Sequence, residues 1–266
     1  MESSNTEFSM LLWAMGAAVA AVAMHLAQGW VRVAQRGPAL LREGPALLMA
    51  AAALAAGLTS ALVLGMQAQA MAYPVGYRWW AAALVPAAVL ASLPVVMLAA
   101  ASARAWALAS SGALLALVAL GLQAGWVWAA GFRPGVLWRT ELVAAAAVLL
   151  VVGLVMAQWM AHSEASQDSP RRTVWRLGAG VLAALTLMAG QQVMTVAAGL
   201  PAQNNSLYSG QLSGAVLSLL CGVLVPLALV ALTLDLWLRH QQRRQRSSGD
   251  FNPAKRRKRR HKMRTL

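Results

Sequence analysis

Residues 45–71 read PALLMAAAALAAGLTSALVLGMQAQAM, a run with no charged side chain that stays apolar until Gln67 and Gln69. A helix needs about 20 mostly apolar residues to cross roughly 30 Å of hydrocarbon, and this run is long enough. Lipid offers backbone amides no hydrogen-bond partners, so a helix, which satisfies its own, is the form such a segment takes. The same reading extends outward along the chain. Seven stretches qualify as spans: 9–31, 45–71, 79–103, 106–131, 141–161, 174–199 and 212–238. Turn-forming residues separate them: Gly37-Pro38 with Gly44-Pro45, Tyr73-Pro74-Val75-Gly76, Arg133-Pro134-Gly135, Ser169-Pro170, and the segment from Pro201 to Gly210. The expected fold is all-α, a polytopic bundle of seven transmembrane helices.

Composition agrees. The 266 residues are 59% hydrophobic and only 11% charged, where a soluble chain carries about a quarter of its residues charged. From Arg239 onward there are twelve Lys and Arg against one acid, Asp250, which is +11 of the formal +14. The 238 residues before it hold ten basic and seven acidic side chains. So little charge cannot cover a water-facing surface, and lipid must solvate the rest. The acidic N-terminus (Met1-Glu2-Ser3-Ser4-Asn5-Thr6-Glu7) and the length of the apolar run after it argue for a retained first span rather than a secretory signal. A single cysteine, Cys221, excludes an internal disulfide or a thiolate cluster and reads as a buried inert thiol.

Orientation follows from the Lys/Arg bias. With the N-terminus outside, the inner side holds Arg32, Arg36, Arg42, Arg104, Arg171, Arg172, Arg176 and the tail, against Arg78, Arg133 and Arg139 outside. Leaving out the tail, the bias is still seven to three. Trp13, Trp79, Trp80, Trp138, Trp175 and Trp237 lie near span ends, where an aromatic belt would put them. The expected organisation is a membrane domain over 1–240 and a disordered polybasic cytoplasmic tail over 241–266. Small-residue runs such as Gly178-Ala179-Gly180 and Ala50 to Ala56 let helix backbones approach closely.

An internal repeat is visible. Three apolar helices each reach a polar break near the outer surface: Gly65-Met66-Gln67-Ala68-Gln69-Ala70-Met71-Ala72, Gly121-Leu122-Gln123-Ala124-Gly125-Trp126, and Ala189-Gly190-Gln191-Gln192-Val193-Met194-Thr195. Each break is followed by a loop and another helix. Helices 2 to 7 thus form three two-helix repeats, with helix 1 as a lead element. Over about residues 8–240 this resembles the MHYT domain, a bacterial integral membrane sensor module. The stretch from Met66 to Met71 fits that family's Met-His-x-x-Gly-Met frame, with Gln67 where histidine is usual. Gln192 and Gln123 align with the histidines of the other copies, and Pro74-Val75-Gly76-Tyr77 looks like the family's loop. The resemblance implies a sensor or signalling role in the bacterial inner membrane, and copper held by Met and His residues.

The side chains suggest chemistry of their own. Gln67, Gln69, Gln123, Gln191 and Gln192 recur at one expected depth, and an amide in hydrocarbon is costly unless it is hydrogen-bonded. They read as interhelical hydrogen bonds, a polar small-molecule or ion site, or a residual metal site. Met66, Met71 and Met194 could supply thioethers, which favour Cu(I). His25 lies in the inner half of helix 1, roughly 15–20 Å below that layer at 1.5 Å per residue, as a structural histidine or a proton-linked switch. Glu141 and Asp235 are interfacial, with Asp235 at i,i+4 spacing to Arg239.

The tail carries Lys255, Arg256, Arg257, Lys258, Arg259, Arg260 and Lys262. Such a run adheres to anionic lipid headgroups or meets an acidic cytoplasmic protein; nucleic acid fits less well, because no aromatic residues accompany the charge. No nucleophile elbow, zinc-protease helix, phosphate loop or pair of intramembrane carboxylates is present. The expectation is a non-enzymatic membrane protein: a diverged MHYT-type sensor or a partner subunit within a membrane complex. The alternatives are a small transporter or channel-like protein, or a structural or assembly subunit.

Overall fold

Seven helices among the described residues are each long and apolar enough to cross a membrane, and the protein is a multi-pass membrane protein. A computed structural model describes residues 8–35, 44–69, 75–102, 104–133, 135–163, 171–199, 205–208 and 210–250. The helices are α1 (Met10–Gln35), α2 (Gly44–Gln67), α3 (Trp79–Ala101), α4 (Ala105–Ala130), α5 (Thr140–Ser163), α6 (Arg171–Ala197) and α7 (Gly214–Asp250). Four two-residue strands lie between them: β1 (Gly76–Tyr77), β2 (Phe132–Arg133), β3 (Asn205–Ser206) and β4 (Leu212–Ser213). The chain divides into two compact units, Met1–Leu229 and Val230–Leu266.

In the first unit the helices close into a ring. Each of α1 to α5 packs on its successor, and α6 packs back on α1. Helix 1, a lead element by sequence, therefore lies between α2 and α6. In a bilayer, helices gain little by hiding apolar surface from one another, so close backbone approach and dispersion hold them. Glycines supply that approach. Gly57 of α2 faces Ala23 of α1 so closely that a Cβ would overlap the alanine methyl. Gly180 of α6 faces the Ala21 carbonyl of α1, 3.1 Å from where a Cβ would stand. Its neighbour Ala179 is fully buried, so the run singled out in the sequence is a packing face.

The outward faces are apolar. Leu84 and Val95 of α3, Val148 and Val152 of α5, and Leu219 and Leu224 of α7 are all exposed. In water so much apolar surface would be a liability, whereas lipid solvates it. Trp79, Trp138 and Trp175 are exposed at helix ends, in keeping with an interfacial belt.

The short strands tie one end of the bundle together. β1 pairs antiparallel with β4, and β2 with β3. The loops after α2 and α4 are thus both zipped to the connection between α6 and α7. The Ser9 N–H donates to the Ala68 carbonyl at 2.9 Å, which puts the start of α1 at the same end. All three breaks therefore face one side of the bundle, as an even number of crossings between them requires. The α4 terminus turns into its loop through Gly131, whose φ of 59° is left-handed and suits a residue without a Cβ. Its N–H closes on the Trp128 carbonyl at 3.1 Å.

In the second unit Arg239 Nε donates to Asp235 Oδ2 at 3.0 Å, the i,i+4 pair expected from the sequence, and its exposure keeps it weak. α7 runs on through Asp250, past the residue-240 boundary drawn from the sequence. The basic cluster of Lys255, Arg256, Arg257, Lys258, Arg259, Arg260 and Lys262 lies outside the described residues.

Candidate functional site

The outer layer is built where α2 and α6 end. Gln67 is the last residue of α2, and its amide occupies the space beside Gly214 that a side chain there would fill. Tyr77 stands in β1, wholly buried, with its ring edge-on to Trp126 at 5.2 Å. Burial pushes its phenol up to about 12, with the Gln67 amide opposing the shift, so the ring stays neutral at any physiological pH. Gln69 Nε2 donates to Gln192 Oε1 at 2.6 Å, bonding the end of α2 to α6. Beside it, Gln191 Nε2 donates to the Leu62 carbonyl at 2.8 Å. Adjacent glutamines on α6 thus both clamp α2.

A carbonyl only accepts, so the Leu62 contact fixes the Gln191 amide: its nitrogen faces Leu62 and its oxygen faces away. That oxygen and Oε1 of Gln123 are both buried without a hydrogen-bond partner, and both residues line one cavity of about 20 Å³. Gln123 stands seven residues before the α4 end at Ala130, and Gln191 six before the α6 end at Ala197. At 1.5 Å per residue that is about 10 Å beneath the helix ends. The five glutamines divide by what they face: Gln69 and Gln192 bond each other and Gln67 stands against Gly214, whereas Gln123 and Gln191 line a shared pocket.

A double-mutant cycle over Gln69→Ala and Gln192→Ala should give a coupling of about 0.5–1.5 kcal/mol, the range of interhelical hydrogen bonds in lipid. Unfolding titrations of the four proteins would measure it, and strictly additive losses would remove the lock.

Met66 and Met194 are both buried, but only Met194 lines the cavity, together with Met188. Met71 lies outside the described residues. The polar and sulfur side chains lining the cavity are the amides of Gln123 and Gln191 and the thioethers of Met188 and Met194, and the described residues contain no cluster of three or more His, Cys, Asp or Glu side chains. Copper(I) favours soft sulfur and imidazole, whereas amide oxygens are hard. These residues do not fit copper.

His25 is half-buried and packs toward Gly180 of α6, with Arg32 and Arg176 in electrostatic reach. It is fifteen residues along α1 from Met10, about 22 Å by the helical rise, and takes no part in the outer layer.

A second polar set, missed in the sequence, occupies the other end. Gln28, Arg32 and Gln35 of α1 and Gln158 and His162 of α5 line one pocket. The signal was available: i, i+4 and i+7 on α1 and i, i+4 on α5 put these residues on single helix faces. Gln35 Nε2 donates to the Ala101 carbonyl at 3.1 Å, capping α3. Comparison with protein-family models, with curated proteins and with solved structures finds no match.

Proposed function

We propose that this chain is a non-enzymatic module of the bacterial plasma membrane, a diverged MHYT-type sensor or a partner subunit whose output passes to another protein. The closed outer end carries this reading. Amide bonds and strand pairs join the ends of α2 and α6 and the loops after α2 and α4, where a conduit would need a mouth. The two polar pockets, about 20 and 30 Å³, lie toward opposite ends. Between them, at intermediate depth in their helices, Leu54, Leu115 and Leu154 are buried. A rigid bundle closed on one side and basic on the other suits a protein that holds a partner or relays a state. The family reading rests on the Met66 to Met71 frame, and the contact offered to a partner is the basic tail.

Proteoliposomes holding the purified chain should leak ions and small polar solutes no faster than empty vesicles. Flux clearly above that background would put a transporter or channel in its place.

Metal content makes a second test. After incubation with Cu(I) and desalting, elemental analysis should find well below one copper per chain. Stoichiometric copper that is lost on replacing Met66 and Met71 would instead establish a thioether site.

A further inference from the structure

The pocket at the basic end has more polar machinery than packing needs. Gln28 is 8% exposed, and neither its amide nitrogen nor its amide oxygen has a hydrogen-bond partner. Gln158, at 6%, faces the same space from α5. Burying both ends of an amide unpaired is costly, and a bundle that closes Gln35 onto a carbonyl one turn-pair away had means to avoid it. The vacant donor and acceptor of Gln28 call for an occupant that offers both.

Charge identifies that occupant. Arg32 stands one turn from Gln28 on the same face of α1, and His162 one turn from Gln158 on α5. Among the described residues, no carboxylate lines the pocket. Arg32 has interactions of its own, and it enters as a positioned charge, not as a vacant one. Met97, Ala100 and Leu108 of α3 and α4 close the far side, which lowers the local dielectric and strengthens each charged hydrogen bond. The cavity of about 30 Å³ holds about two water-sized groups, enough for two oxygens of a tetrahedral oxyanion whose remainder stays at the mouth.

We propose that this pocket binds a phosphate group from the cytoplasmic side. One phosphate oxygen accepts from Gln28 Nε2 and from the Arg32 guanidinium, a fork suited to oxyanions. A protonated phosphate oxygen donates to Gln28 Oε1. Gln158 and His162 bound the opposite wall. The group belongs either to an anionic lipid headgroup or to free phosphate, since the chemistry is shared. The site is separate from the outer glutamine layer and does not depend on what that layer does.

The test uses the full chain in neutral detergent, with thermal unfolding followed by tryptophan emission. One series adds inorganic phosphate at constant ionic strength; the other adds phosphatidic acid to the micelles, with phosphatidylcholine as control. A saturable rise of the midpoint with phosphate supports the soluble ligand, and one with phosphatidic acid alone supports the headgroup. In either case Gln28→Leu and Arg32→Gln should each raise the half-saturating concentration about tenfold or more, the loss expected for a charge-assisted contact. Should Gln28→Leu fail to fold, Arg32→Gln alone carries the test. No saturable rise in either series, or a rise left unchanged by the variants, overturns the proposal.

Discussion

Gly57→Leu should leave a bundle that unfolds at markedly lower denaturant, by about 3 kcal/mol or more, the upper end of overpacking losses. Even the first carbon of a side chain at this position overlaps the Ala23 methyl, so α1 and α2 must separate to admit leucine. Separation cannot stay local, because α1 also carries the contact with α6 that closes the ring. Neighbouring Ala56 is the control: it is only partly buried, and Ala56→Leu should cost far less. Unfolding in mixed SDS micelles, followed by circular dichroism, gives the comparison. Equal midpoints for the two variants would show that the α1–α2 crossing yields easily.

The second large loss is expected from Ser206→Ala, at about 2 kcal/mol. This buried hydroxyl accepts from the Gly76 N–H at 3.1 Å and lies 2.8 and 2.9 Å from the carbonyls of Gly76 and Ala130. One side chain thus touches the loop after α2, the end of α4, and the connection after α6. Alanine leaves a buried N–H with no partner, and that desolvation is the larger part of the cost. Ser206→Thr, which keeps the hydroxyl, should recover most of it. If both variants match the parent in the same titration, the strand pairs alone hold the outer end.

The span count and most helix limits were legible because lipid imposes a simple rule on length and polarity. All seven predicted spans begin within three residues of the helix found, α6 being the furthest off, at Arg171 against an expected 174. What the sequence could not carry was which helix touches which. Ring closure by α1 and α6 depends on Gly180 meeting a carbonyl at Ala21, and an Ala- and Gly-rich chain offers many equivalent faces. The glutamines were visible as polar interruptions, yet Gln191 and Gln192, adjacent in sequence, take different partners because helical residues one apart point about 100° from each other. The inner set escaped notice because Gln28, Arg32 and Gln35 sit near a span end, where polar residues are ordinary. Only burial separates Gln28 from its neighbours.

The ring also sets an order of events during synthesis. α1 ends at Gln35 and its partner α6 begins at Arg171, so a ribosome working at about 5–20 residues per second leaves α1 waiting on the order of ten seconds for the helix that closes the bundle. Until then the α1 face destined for α6, including His25 with its buried Nδ1, is open to lipid or to insertion machinery. Biogenesis thus passes through an unclosed arc, and variants at the closing contact should show up as degraded chains in the cell before they show up as unstable ones in detergent.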